Sequence, residues 1–251
     1  MFKISLIPAF KDNYIWLLTQ GHRAVVVDPG DAAPVLARLE VDHLELEGIL
    51  ITHHHADHQG GITELKARYQ PDIFAPVRES ITGCTRPLSG GESITVLGQA
   101  VQVLAVPGHT LGHLAYYAPG AIFCGDTLFG AGCGRLFEGS PAQMSASLDS
   151  IASLPDETLV YCAHEYTEVN LRFALAVEPD NTAVQGRVAK VAALRAAGLS
   201  SVPSLLLEER ATNPFLRCTE PAVIAAGLAN AAVDRSKTAI FTAIRQWRNN
   251  F

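Results

Sequence analysis

The sequence predicts a mixed α/β domain over residues 1–165, followed by a small all-helical domain over residues 166–251. Up to about residue 165, short runs rich in Val, Ile and Tyr alternate with Gly and Pro, which is the pattern of strands between turns. Beyond that point, Ala-rich stretches carry apolar residues at helical spacing. The chain has 251 residues, 48% hydrophobic and 18% charged, enough apolar surface for a substantial core. This composition excludes a disordered chain.

The elements follow in order. Strands are expected at 3–7, 14–19 and 24–27. A helix at 33–39 follows Asp31, a candidate N-cap. A strand at 48–51 runs into a histidine-rich segment, and a helix occupies 61–69. Strands then fall at 93–97, 101–106, 114–117 and 121–124, a helix at 142–154 and a strand at 158–161. Helices at 171–177, 184–197, 222–231 and 234–247 complete the chain, the last with Asp234 as candidate N-cap.

Charge and cysteine usage narrow the function. A net charge of −6 gives no basic footprint for nucleic acid. No apolar run approaches the length of about 18 residues that spans a bilayer. Residues 1–11 lack the continuous apolar stretch of a signal peptide, so a cytoplasmic protein is expected. Cys84, Cys124, Cys133, Cys162 and Cys218 form no C-x-x-C pair. They are expected as free thiols that pack as small core residues.

The chemistry concentrates in His53-His54-His55-Ala56-Asp57-His58, an H-x-H-x-D-H pattern. Residues two apart in an extended segment point the same way, so His53 and His55 can share one ligand. Asp57 and His58 follow where Gly60-Gly61 lets the chain turn into a helix. Imidazole and carboxylate suit zinc, and also iron or manganese. His109, Asp126 and His164 each come just after a predicted strand, as His53 does. Loops at strand ends that open on one edge can meet in one site. Seven donors suit two metals with a shared ligand, and a carboxylate, having two oxygens, is the natural bridge. Asp126 takes that place. His53, His55 and His109 would hold one ion, and Asp57, His58 and His164 the other. Such ions sit about 3.5–4 Å apart and lower the pKa of a bound water to about 7. His54 and His113 are read as bracing residues or surface, and His22 and His43 as solvent-facing. Asp28 either orients a ligand histidine or forms a turn.

The H-x-H-x-D-H segment with His109, Asp126 and His164 resembles the metallo-β-lactamase superfamily. The segments 125–129 (GDTLF), 132–139 (GCGRLFEG) and 164–167 (HEYT) resemble one family within it, glyoxalase II (hydroxyacylglutathione hydrolase). The resemblance extends over the whole chain, including Asp12-Asn13-Tyr14 and the helical C-terminus. It implies an αββα sandwich as the catalytic domain over 1–165, and a helical substrate-binding domain over 166–251. It implies two divalent metals, zinc first, and hydrolysis of S-(2-hydroxyacyl)glutathione thioesters such as S-D-lactoylglutathione. A hydroxide bridging the metals is the implied nucleophile, with Asp57 and Asp126 as catalytic carboxylates. The reaction would be the second step of methylglyoxal detoxification, carried out by a monomer. The glutathione contacts implied are Arg135, Phe137, Tyr166, Arg245 and Arg248. Phe137 departs from members with tyrosine there, and Arg135 and Arg248 replace lysine in some. Independently, Arg235, Lys237, Arg245 and Arg248 stand against Asp234 alone after residue 230, and Arg245 and Arg248 share a helical face.

The main rival is a mononuclear-iron glutathione-persulfide dioxygenase on the same fold, which leaves Asp57, His58 and His164 without a role. A secreted β-lactamase and a metal-dependent RNA nuclease fit the charge and termini less well. A silent metal- or glutathione-binding module is the non-enzymatic alternative.

Overall fold

The computed structural model describes residues 2–251. Contacts divide the chain into two compact units. The first holds the residues up to Ala105 together with Leu111–Gly125; the second holds Val106–Thr110 and Asp126–Phe251. The composition change at residue 165 lies inside the second unit.

In the first unit, β1 (Lys3–Ala9), β2 (Asn13–Gln20) and β3 (Arg23–Val27) form an antiparallel meander. Helix α1 (Ala32–Val41) then crosses to β4 (Glu45–Leu50), which lies parallel to β3. A parallel neighbour demands such a crossover. Asp31 caps α1 as expected, its carboxylate accepting from the Ala33 N–H. After β4 come a single turn, α2 (Ala56–Gln59), and α3 (Ile62–Tyr69). β5 (Asp72–Pro76) and β6 (Arg86–Leu88) complete a six-stranded sheet in the order β1 to β6. Ile15, Leu17 and Val26 of the sheet pack with Val35 and Leu39 of α1 and Ile62 and Leu65 of α3. β7 (Ser93–Val96), β8 (Gln99–Ala105), β9 (Leu114–Ala118) and β10 (Ala121–Gly125) make a second antiparallel meander.

β5 and β6 were not expected from the sequence. β5 is bounded by Pro71 and Pro76, and β6 is three residues around Pro87, so neither shows a period. Proline is tolerated in β6 because it is the edge strand.

The second unit begins with a tight hairpin, β11 (Leu128–Phe129) and β12 (Gly132–Cys133). Helix α4 (Pro141–Ala152) starts with a complete capping box between Ser140 and Gln143. Strand β13 (Leu159–Cys162) is followed by α5 (Thr167–Val177) and α6 (Thr182–Ala196). β14 (Ser204–Leu205) pairs with β13, and α7 (Leu206–Thr212), α8 (Pro221–Ala229) and α9 (Lys237–Asn249) follow. Leu171 and Ala174 of α5 pack against Val184 and Val191 of α6. Phe173, Phe215, Phe241 and Trp247 form an aromatic cluster. α5 starts four residues earlier than the periodicity suggested. The cap of α9 is Ser236, not Asp234; the Asp234 carboxylate accepts instead from the Ser236 N–H. α7 was missed because its N-terminus, Leu205, offers no side-chain cap.

Glu209 on α7 is fully buried and accepts from Arg187 of α6, from Ser204 and from the Ala131 N–H. Burial works against the Arg187 charge; Glu209, with Glu208, outweighs it and leaves the guanidinium pKa above its ordinary value. Removing one partner of a buried pair leaves an uncompensated charge. Glu209→Ala is therefore expected to cost about 3–5 kcal/mol. A urea melt showing a loss below about 1 kcal/mol would contradict this account.

Candidate active site

The H-x-H-x-D-H segment leaves the end of β4. Ile51 is the last apolar residue, and Thr52 and His53 follow, both fully buried. Asp28, just after β3, accepts from the Thr52 N–H (2.8 Å) and from the Thr52 hydroxyl (2.7 Å). A hydroxyl has one proton, and Thr52 gives it to Asp28. Towards His53 Nδ1, 3.0 Å away, Thr52 can then only accept. His53 thus carries its proton on Nδ1 and presents the Nε2 lone pair. That Nε2 lies 3.0 Å from His55 Nδ1.

His58 follows the same logic. Its Nδ1 lies 3.0 Å from Asp28 Oδ2, which can only accept, so the proton stays on Nδ1 and the buried Nε2 points towards Asp57, 3.5 Å from Oδ2. Asn13 donates to that same Asp57 oxygen at 2.9 Å and fixes its direction. Asp28 adopts φ 51°, and after it Gly30 passes so close to Asp57 that a Cβ would meet the Asp57 carbonyl oxygen at 1.9 Å. Asp28 is therefore the orienting residue, one of the two roles the sequence left open. His113 is buried and stacks on His53 with ring centroids 4.7 Å apart. His54 is half-buried, with Nδ1 3.1 Å from Glu79. His22 and His43 are exposed, as expected.

In the second unit, His109 Nδ1 donates to the Arg135 carbonyl at 2.8 Å and leaves Nε2 for Asp126. Asp126 sits between two imidazoles. Its Oδ2 is 3.4 Å from His109 Nε2, and its Oδ1 is 3.4 Å from His164 Nε2. Tyr166 stacks flat on His164, with centroids 4.8 Å apart and planes within 2°. Ligands about 2.0–2.1 Å from one tetrahedral ion stand about 3.3–3.4 Å from each other. The Asp57–His58, His109–Asp126 and His164–Asp126 spacings are close to that value. Within each unit, these donors and their tautomers fit divalent metal ions.

Asp126 and His109 also line a cavity of about 340 Å³ that extends to Arg135, Phe137, Tyr166, Arg245 and Arg248. All five residues implied as glutathione contacts thus lie on one cavity. Arg245 is buried and donates to the Cys133 carbonyl (2.9 Å) and to Asn249 (3.1 Å). Arg248 donates to Asn170 at 3.3 Å. Among the described residues, neither arginine has a carboxylate partner. Burial lowers the Arg248 pKa, and repulsion from Arg245 adds to it. Two guanidiniums held by neutral groups in one cavity create a demand for an anion. Phe137 is 60% exposed, and its N–H donates to the His109 carbonyl.

Sequence reasoning missed Asn13, Asn170 and Asn249. Asn170 and Asn249 stand four residues after Tyr166 and Arg245, so helical spacing could have found them. Asn13 lies in the Asp12-Asn13-Tyr14 segment of the resemblance, but nothing there gave it a role. Among the described residues no cysteine is in a disulfide, and all five are buried except Cys84, which is exposed in the irregular stretch before β6. Burial pushes the Cys162 and Cys218 thiols up to about 12.

Residues 165–251 match the family model for the hydroxyacylglutathione hydrolase C-terminus. Residues 10–164 match that of the metallo-β-lactamase superfamily. A hydroxyacylglutathione hydrolase of Dechloromonas aromatica is 75% identical, with the whole of both chains aligned. This chain belongs to the hydroxyacylglutathione hydrolase family. Solved structures agree on the superfamily fold. The BLEG-1 B3 metallo-β-lactamase aligns over 86% of this chain and 99% of its own, with a TM-score of 0.65 at 22% identity. TTHA1623 in a di-iron-bound form aligns over 64% and 91%, with a TM-score of 0.55 at 30% identity. The chain is thus a metallo-β-lactamase fold followed by the helical C-terminus of its family. None of its described helices is long and apolar enough to cross a membrane.

Within the hydroxyacylglutathione hydrolase architecture, Asp28 is the residue that fixes His58 and, through Thr52, His53. Loss of a carboxylate that orients a ligand histidine costs about 10–100-fold in metal affinity. Asp28→Ala should lose metal to a chelator at correspondingly lower concentration, followed by elemental analysis after dialysis. Retention equal to the parent protein would refute the assignment.

Proposed function

We propose that this chain hydrolyses S-(2-hydroxyacyl)glutathione thioesters, S-D-lactoylglutathione above all, to glutathione and a 2-hydroxy acid. The carrying observation is the cavity itself: Asp126 and His109 line it together with two guanidiniums that, among the described residues, are held by neutral groups. It offers reactive chemistry and an anion site to one ligand, and a glutathione thioester has both a reactive carbonyl and remote carboxylates.

His53, His55 and His109 would hold one divalent ion and Asp57, His58 and His164 the other, with Asp126 shared. Zinc is the first expectation, with iron or manganese as alternatives. When bound, the ions supply an activated water at neutral pH and polarise the thioester carbonyl. The residues of the chain do the rest. Asp57 and Asp126 are the carboxylates on which turnover depends. Asn13 keeps Asp57 directed, and the Asp28–Thr52 pair keeps His53 and His58 in the ligating tautomer. Tyr166 fixes the plane of His164. Arg245 and Arg248 bind the glutathione carboxylates, with Arg135, Phe137 and Tyr166 along the cavity wall. The leaving group is a thiolate, whose conjugate acid has a pKa of about 8.5, so it departs without a dedicated general acid. This agrees with a site whose histidines all have other work.

The reading makes residues 1–165 the catalytic domain and 166–251 the substrate-binding domain of a cytoplasmic monomer. The mononuclear-iron dioxygenase alternative is less supported. The C-terminal family model is that of the hydrolase, and full-length relatives carry the hydrolase name.

Purified protein should release thiol from S-D-lactoylglutathione, and the release should stop after chelation. Absence of turnover in metal-replete protein would refute the substrate assignment. A charge-assisted hydrogen bond contributes about 1.5–3 kcal/mol, or about 10–100-fold. Arg248→Ala is expected to raise KM by that factor with kcat within about twofold, because it holds a remote part of the substrate. A large fall in kcat at unchanged KM would contradict it.

A further inference from the structure

The β11–β12 hairpin is built under constraint. Ala131, inside its two-residue turn, has φ 53°, a left-handed conformation that non-glycine residues adopt at a cost. A Cβ on Gly132 would stand 2.3 Å from the Asn170 amide, so the turn cannot shift in that direction. Strained turns persist only where their surroundings hold them.

Three side chains hold this one: Glu209 accepts from the Ala131 N–H, Asn170 donates to the Gly130 carbonyl, and Asn213 reaches the two ends of the turn. Asn213, at the C-terminal end of α7, is fully buried. Its amide nitrogen donates to the Gly132 carbonyl (2.9 Å) and lies 3.2 Å from the Phe129 carbonyl, on the other side of the turn. Its amide oxygen accepts from the Phe215 N–H at 3.1 Å, which fixes the orientation of the amide. Phe129 and Gly132 are the two ends of the turn, so Asn213 clamps both strands at once.

The consequence lies in Cys133, one residue beyond Gly132, and in the ring of Phe129 itself. The carbonyl of Cys133, directly after Gly132, is the acceptor that holds Arg245 at 2.9 Å. The ring of Phe129 packs edge-on against Tyr166, with centroids 5.2 Å apart. Two of the residues assigned above to glutathione therefore take their places from a hairpin whose two ends Asn213 holds. Asn213 lines no part of the cavity itself.

We infer that Asn213 is a positioning residue for the glutathione end of the cavity, acting through the β11–β12 hairpin on Arg245 and Tyr166. This rests on the thioester reading. It makes the affinity for glutathione depend on a residue that never touches it.

The test compares parent protein, Asn213→Ala and Asn213→Ser, all metal-replete, for hydrolysis of S-D-lactoylglutathione and for glutathione binding by calorimetry. The expected result for Asn213→Ala is a rise of about tenfold in both KM and glutathione Kd, with kcat within about threefold and metal content unchanged. Asn213→Ser keeps one donor in a smaller side chain; it supplies the same readout if the alanine variant does not fold, with a smaller shift expected. A lowered melting temperature with KM and Kd equal to the parent's would reduce Asn213 to a purely structural role and overturn the inference. Parent protein that neither turns over the thioester nor binds glutathione would overturn the thioester reading instead.

Discussion

The site depends on where each histidine keeps its proton. An imidazole can ligate a metal only through a nitrogen that carries no proton, and which nitrogen that is depends on the partner of the other one. Here the Nδ1 protons of His53, His58 and His109 go to Thr52, Asp28 and the Arg135 carbonyl. Each Nε2 is thereby left to face a neighbouring donor. Asp28 governs two of the three, because the single proton of Thr52 is committed to it. Burying that many polar groups would be costly without partners. The hydrogen bonds supply part of the compensation, and divalent ions would supply the remainder.

The same reasoning applies to the arginines of the cavity, with the opposite sign. Arg245 and Arg248 are held by a carbonyl and by the amide side chains of Asn249 and Asn170, all neutral. Neutral partners orient a guanidinium without cancelling its charge. The positive potential remains for a ligand, and the two arginines raise it for each other. At Arg187, by contrast, a buried arginine is matched by Glu209 and has no charge left to offer. In the second unit Arg187 and Arg217 are each matched by a buried glutamate, whereas among the described residues Arg245 and Arg248 have no carboxylate partner.

Much of this was legible in the sequence, because it rests on residue type and short spacing. The H-x-H-x-D-H segment, the position of His109, Asp126 and His164 after strands, and the helical spacing of Arg245 and Arg248 are all local patterns. The strands with apolar runs, β1 to β4 and β7 to β10, were legible for the same reason. What escaped depends on contacts distant in sequence. β5 and β6 are short, proline-bounded segments defined by their parallel neighbours rather than by a period. Asn13 lies 44 positions from Asp57, and Asn213 lies 81 from Gly132. No spacing rule reaches that far. Asp28 was ambiguous because a residue before Pro-Gly reads as a turn until the fold brings Thr52 and His58 to its carboxylate.

The proposal stands or falls on Asp126, which lies between His109 and His164 and would be shared by two ions. Counting bound metal in the parent protein and in Asp126→Ala, with thiol release measured on the same samples, tests it most directly. The account predicts about two ions per chain in the parent protein. It predicts loss of the paired centre and of most turnover in the variant. An Asp126→Ala protein that keeps both ions and full rate would contradict it.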